Sequence, residues 1–124
     1  MKRILQAALV LAALAATQTV RAQTSDYPNR TVRLVVPYVA GSPVDVFARV
    51  LMQHVSPRLG QAVVPENRPG AGTTIGTKAV ATSPADGYTL LLSGQGLAVI
   101  PYFYPKFDVD VVKAFDSVGS LAGW

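Results

Sequence analysis

Residues 31–50 read TVRLVVPYVAGSPVDVFARV, and the order of residue types within them decides the fold. Thr31 to Tyr38 is rich in β-branched side chains and carries little charge, the composition of a buried strand. Ala40-Gly41-Ser42-Pro43 ends it. From Val44 the apolar residues Val44, Phe47, Ala48, Leu51 and Val55 recur at helical spacing, with Asp45, Arg49 and Gln53 between them, so an amphipathic helix is expected to end near Leu59-Gly60. Pro57 should kink or shorten its last turn. At its start Ser42 stands as N-cap, Pro43 as the first helical residue and Asp45 as the third, a capping box of the form Ser-x-x-Asp.

Working outward, Ala62-Val63-Val64-Pro65 predicts a second strand, with Glu66-Asn67-Arg68-Pro69-Gly70 as a turn-rich loop. Gly72 to Thr82 predicts a short second helix with Ile75, Ala79 and Val80 on one face, closed by the turn residues Ser83 to Gly87. Tyr88 to Leu92 is the third strand, and Ser93-Gly94-Gln95-Gly96 breaks it. Beyond the aromatic stretch Tyr102-Phe103-Tyr104, Val118 to Ala122 can form one more strand. Strands alternating with helices in this way argue for an α/β domain on a parallel sheet. If the first and third strands are neighbours, the loops after Tyr38 and Leu92 meet at the switch point where open sheets bind ligands.

The chain has 124 residues, half of them hydrophobic, with no cysteine and a lone histidine, His54. That bounds it to one small domain and excludes a disulfide scaffold, a thiolate metal site and a cysteine nucleophile. Three of its basic residues, Lys2, Arg3 and Arg21, fall in an N-terminal segment whose apolar run from Ile4 to Ala16, with small or modest residues of Val20-Arg21-Ala22 at the positions a signal peptidase reads, describes an export signal over residues 1–22, cleaved before Gln23. A membrane anchor would need ~20 apolar residues, more than this run supplies. The remaining charges, eight basic against seven acidic, nearly balance and are scattered, so no nucleic-acid footprint is expected. Gln23 to Pro28 reads as an exposed leader.

Two loops could carry chemistry. Gly41 and the helix start at Ser42 can present free N–H groups to an anion, or can form no more than a cap; Asp45 can complement the helix dipole or select a ligand amine or hydroxyl. Gly70-Ala71-Gly72-Thr73-Thr74-Ile75-Gly76 has one residue too many for a dinucleotide fingerprint and lacks the later acidic residue, which favours a tight turn that lets the second helix pack closely on the sheet. Tyr102 to Tyr104 favours local packing over a stacking platform. His54, near the apolar face of the first helix, favours a structural role. No nucleophile and base can be paired.

PYVAGSPVD from Pro37, ENRPGAGTTIG from Glu66 and PADGYTLL from Pro84, following an export signal, together resemble the Bug family of periplasmic solute receptors that serve tripartite tricarboxylate transporters. The resemblance implies a periplasmic binding protein-like fold of two α/β lobes. Of these, residues 23–124 would supply only the first part of lobe one, with the second lobe absent. It implies a receptor rather than an enzyme, with no cofactor and no metal. Its partners would be a small carboxylate solute (a dicarboxylate, a tricarboxylate or an acidic amino acid) and the membrane components of the transporter. By the same resemblance Tyr38, Ala40, Gly41, Ser42 and Asp45 in the first loop, and Ser93, Gly94 and Gln95 after the third strand, contact the solute. Ser42 replaces the family's second glycine, which either blocks a backbone conformation of positive φ or adds a hydroxyl toward the ligand. Pro101 and Tyr104 match the family pattern, while Ile100 stands where Asn is usual. The contrasting expectation is a non-binding truncated remnant or a small exported interaction module.

Overall fold

The computed structural model describes residues 26–121, so the expected export signal at 1–22 lies outside the described residues. The elements in chain order are β1 (Val32–Val36), α1 (Pro43–Leu59), β2 (Val63–Asn67), a single 3₁₀ turn at Ala71–Thr73, α2 (Thr74–Ala81), β3 (Thr89–Leu91) and α3 (Gln95–Phe103). The strands form one parallel sheet in the order β2-β1-β3, with Val32 opposite Val63 and Arg33 opposite Thr89. β1 is therefore central, and β1 and β3 are neighbours, as the switch-point reading requires.

β1 earns the central position by being apolar on both faces. Val32, Leu34 and Val36 cluster with Ala48 and Met52 of α1 and with Val63 of β2. Each such side chain, taken fully out of water, contributes roughly 1.5–3 kcal/mol. Val35 is buried on the opposite face, where α2 packs against β1 and β3. The α1 face differs in detail from its periodicity: Met52 is buried, whereas Phe47 and His54 are exposed, the latter bonding the Val50 carbonyl through Nδ1 at 2.9 Å. Pro57 does not shorten α1, which runs on to Gly60 in the left-handed C-cap conformation, φ 69°.

β2 extends two residues beyond Pro65, into the segment expected to be a turn. An edge strand needs ladder donors on one side only, so the missing Pro65 N–H is tolerated there, and Arg68 N–H continues the ladder to the Val36 carbonyl at 2.9 Å. Of the face that the apolar residues of α2 suggested, Val80 is buried and Ala79 half-buried, but Ile75 turns outward. Thr74, Gly76, Thr77 and Val80 are buried, and Ile75 is exposed. The reason is Gly76, on which an added Cβ would stand 2.8 Å from Pro37 Cβ and 2.9 Å from the Arg68 carbonyl oxygen. The glycine lets α2 approach the end of β1, and the helix rotates to place it there.

α3 was not expected, because Gly94 and Gly96 read as breakers and Pro101 lies inside it. It forms because it fully buries Ile100. At its end Tyr102 and Phe103 are exposed, contrary to the local-packing reading, while Tyr104 lies over Gly72. Residues 118–121 form no strand, and Val118 is exposed. The leader is also less free than expected. Tyr27 meets Tyr88 edge-on at 5.0 Å and donates to the Gly87 carbonyl at 2.7 Å, and Arg30 stacks over the Tyr88 ring at 4.2 Å. Among the described residues no helix is long and apolar enough to cross a membrane.

Gly76→Ala should lower the melting midpoint by an amount equivalent to about 1–3 kcal/mol, because its methyl meets backbone and a rigid proline ring rather than a flexible side chain. A thermal melt of the variant checks this, and an unchanged midpoint would mean that the close packing of α2 on β1 is not required.

Candidate functional site

The carboxyl ends of β1 and β3 open on the same side of the sheet, as parallel pairing requires. The β1 loop is built around Gly41, whose φ of 80° is open to glycine at little cost. Ser42 has ordinary extended backbone, φ −65° and ψ 157°, so the serine blocks no left-handed conformation. Its hydroxyl accepts from Asp45 N–H at 3.3 Å and forms one half of the expected capping box. The other half is displaced by one residue: the Asp45 carboxylate accepts from Gly41 N–H at 2.8 Å, while Ser42 N–H turns back to the Val39 carbonyl at 3.2 Å.

Asp45 is 2% exposed, and both of its oxygens are engaged. One accepts from Gly41 N–H and from Arg49 Nε at 3.0 Å; the other accepts from Asn67 Nδ2 at 2.9 Å. Asn67 Nδ2 also donates to the Tyr38 carbonyl at 3.1 Å, and Arg49 Nη2 donates to Asn67 Oδ1 at 3.1 Å. The ring Asp45–Arg49–Asn67 thus ties the β1 loop to α1 and to the end of β2. The Arg49 hydrogen bond, then those from Gly41 and Asn67, holds the Asp45 carboxyl at about 2, below its ordinary 3.8. Asn67 and Arg49 were not singled out from the sequence. Asn67 reads as a turn residue until β2 is placed beside β1, where it stands opposite Val36.

The N–H groups of Val39 and Ala40 donate to no protein acceptor among the described residues. Tyr38 is half-buried, and its hydroxyl lies beside the β3 loop, 3.9 Å from where a Cβ on Gly94 would stand and 3.4 Å from one on Gly96. The first and third loops therefore meet through this phenol. Ser93 is half-buried, its hydroxyl reaching only the Gly94 carbonyl at 3.4 Å, and Gly94 and Gln95 are exposed at the start of α3. Of the expected contacts, Tyr38, Gly94 and the neighbouring Ser93 and Gln95 come together, Ala40 and Gly41 lie in the same turn as Tyr38, and Asp45 sits beneath that turn. A hollow of about 400 Å³ lies elsewhere, among Thr74 and Phe103 to Phe107, and includes no residue of the first or third loop. Among the described residues no cluster of His, Asp or Glu side chains could hold a metal ion.

The low Asp45 pKa fixes a pH dependence. The unfolded chain takes up this proton at higher pH than the folded chain, so the stabilisation is complete above about pH 4 and is lost as the pH falls toward 2. Asp45→Asn should melt lower than the parent at neutral pH, and its midpoint should fall less steeply between those limits. Equal slopes in melts recorded across that window would contradict the role of the carboxylate.

Comparison with known proteins places this geometry. Residues 47–124 match the family model described as the tripartite tricarboxylate transporter family receptor. A UPF0065 protein of Bordetella bronchiseptica is 43% identical over 114 residues, which cover 91% of this chain and 34% of that protein. The periplasmic binding protein BugD superposes with a TM-score of 0.69 at 44% identity, over 72% of this chain and 30% of its own. MatC from Rhodopseudomonas palustris with bound malate superposes with a TM-score of 0.62 at 35% identity, over 72% of this chain and 31% of its own. The chain spans about a third of the length of the curated relative. It belongs to the tripartite tricarboxylate transporter receptor family.

Proposed function

We propose that this chain carries one wall of a solute site that captures small carboxylates outside the cytoplasm for a tripartite transporter, with no covalent chemistry. The observation that carries the reading is the meeting of the β1 and β3 loops through the Tyr38 hydroxyl, at the carboxyl edge of the sheet. Beside it the Val39 and Ala40 N–H groups are available as donors, and bound malate in the MatC relative supplies the ligand class. In this reading Tyr38, Ala40 and Gly41 line the solute together with Ser93, Gly94 and Gln95. Ser42 and Asp45 hold the first loop in shape from beneath. Residues 1–22 direct export to the periplasm, and residues 23–124 belong to the first lobe. The membrane components of the transporter are the receptor's partners.

The charge arrangement makes a further demand. Arg49 is already bound to Asp45 and Asn67, and Arg68 and Arg33 both pair with Glu66. A carboxylate in this wall is therefore held by neutral donors, whose bonds are short-ranged and little screened by salt.

Thermal melts of the chain with malate, other dicarboxylates, tricarboxylates and acidic amino acids test the reading, since a ligand of the native state raises the midpoint. One acid class should do so, and its Kd by calorimetry should change less than about twofold between roughly 50 and 200 mM salt. A cooperative melt that no carboxylate shifts would favour the non-binding module, and a steep salt dependence would mean that a cation, not the loops, holds the ligand.

A further inference from the structure

Thr73 combines two features that folding alone leaves unexplained. It is a β-branched residue in the left-handed region, φ 77° and ψ −6°, directly after Ala71 at φ 43° and Gly72 at φ 58°, so three successive residues run left-handed. Such a conformation costs energy for any residue with a Cβ and persists where the surroundings impose it, most often at sites of function. Its Oγ1 is also buried with no hydrogen-bond partner among the described residues, an arrangement native proteins rarely leave unused. The turn Gly70–Thr73 is held against the start of α3, and the point of contact is Gly96.

A Cβ built on Gly96 would stand 3.4 Å from the Tyr38 hydroxyl, 3.4 Å from Thr73 Cγ2 and 3.5 Å from Thr73 Oγ1. Two hydroxyls from different loops, the Tyr38 phenol also making no hydrogen bond among the described residues, thus converge on the one spot where α3 lacks a side chain. Gly96 lies within the helix and carries no positive φ, so the backbone does not require glycine there. An alanine would meet only ordinary van der Waals distances.

We propose that Tyr38 and Thr73 form a two-hydroxyl notch, beside which Gly96 leaves out a side chain, that hydrogen-bonds one carboxylate group of the solute. The inference rests on the carboxylate reading above and adds Thr73 and Gly96 to it. The notch is neutral: a carboxylate oxygen accepts from both hydroxyls in charge-assisted bonds, an amide carbonyl accepts from them more weakly, and an alkyl end of the same shape leaves both unpaired. Thr73 Oγ1 is covered in the present arrangement, so the notch takes the solute on a local rearrangement that uncovers this hydroxyl. The strained turn positions the threonine where the sheet and α3 leave that opening.

The test is calorimetry of the chain with malate, on the parent and on Thr73→Val, Thr73→Ser, Tyr38→Phe and Gly96→Ala, each accompanied by a thermal melt. Thr73→Val and Tyr38→Phe should each weaken malate binding about tenfold, the loss of one hydroxyl bond to a charged acceptor. Thr73→Ser should remain within about threefold because the hydroxyl is kept. Gly96→Ala should hold or raise the melting midpoint, alanine being the better helix former, and yet lose binding. Parent binding with an unchanged Kd in both Thr73→Val and Gly96→Ala would overturn the notch and leave the carboxylate reading standing. Failure of the folded parent to bind any carboxylate would overturn both. Should Thr73→Val fail to melt cooperatively, Gly96→Ala decides by itself.

Discussion

The carboxylate of Asp45 decides where the loop after β1 sits, and much of the site follows from that. Gly41 can adopt its left-handed turn because glycine is free to do so, but freedom does not select one conformation. Selection comes from the hydrogen bond that Gly41 N–H gives to Asp45, which is itself fixed by Arg49 one helical turn later and by Asn67 from the neighbouring strand. Asn67 then holds the Tyr38 carbonyl with the same amide nitrogen. The backbone of Tyr38 is thereby set from below, and its ring is carried out over the third loop. A buried carboxylate is costly unless its oxygens are satisfied, and here three donors from three segments satisfy them. Removing any one of them would loosen the others.

Two backbone devices complete the frame, and they work in opposite senses. Gly76 removes bulk so that α2 can lie against Pro37 and the Arg68 carbonyl, which draws the Gly70–Thr73 turn in toward the switch point. The turn itself adds strain, with Ala71 and Thr73 at positive φ where glycine would be relaxed. Tyr104 closes over Gly72 from the end of α3, leaving no room there for a Cβ. The glycines in this segment therefore serve close approach between elements, and the strained residues lie between them, Thr73 beside Gly96.

Much of the frame was legible in the sequence because it rests on local signals. A β-branched run, a Ser-Pro helix start and a Gly at the helix end placed β1 and α1 within a residue or two, and the alternation of elements implied the parallel sheet. The misreadings share one cause, the override of local rules by tertiary contacts. Pro65 looked like the end of a strand because its position on a sheet edge could not be known. Gly94 and Gly96 looked like breakers because the buried position waiting for Ile100 was not visible. The α2 face was read from its apolar residues when the packing of Gly76 sets its rotation. At the site, Tyr38 and Gly41 stood out by pattern, but Asn67 and Thr73 gain meaning only once strands and loops far apart in sequence are neighbours.

In the proposed function, recognition of an anion by neutral donors is a consequence of this construction. Arg49 is bound to Asp45 and Asn67, so its positive charge is paired within the frame although the side chain itself is half-exposed. What remains at the switch point is the Val39 and Ala40 N–H groups, whose directions the backbone sets, and the Tyr38 hydroxyl beside them. Neutral donors give less attraction per contact than an arginine fork, but they reward an acceptor only when it arrives in the right geometry. Discrimination between solutes is a difference between affinities, and fixed neutral donors enlarge that difference by leaving a wrong ligand with unpaired polar groups. In the proposed site the pairing of buried Asp45 with half-exposed Arg49 therefore shapes selectivity by leaving recognition to the neutral donors.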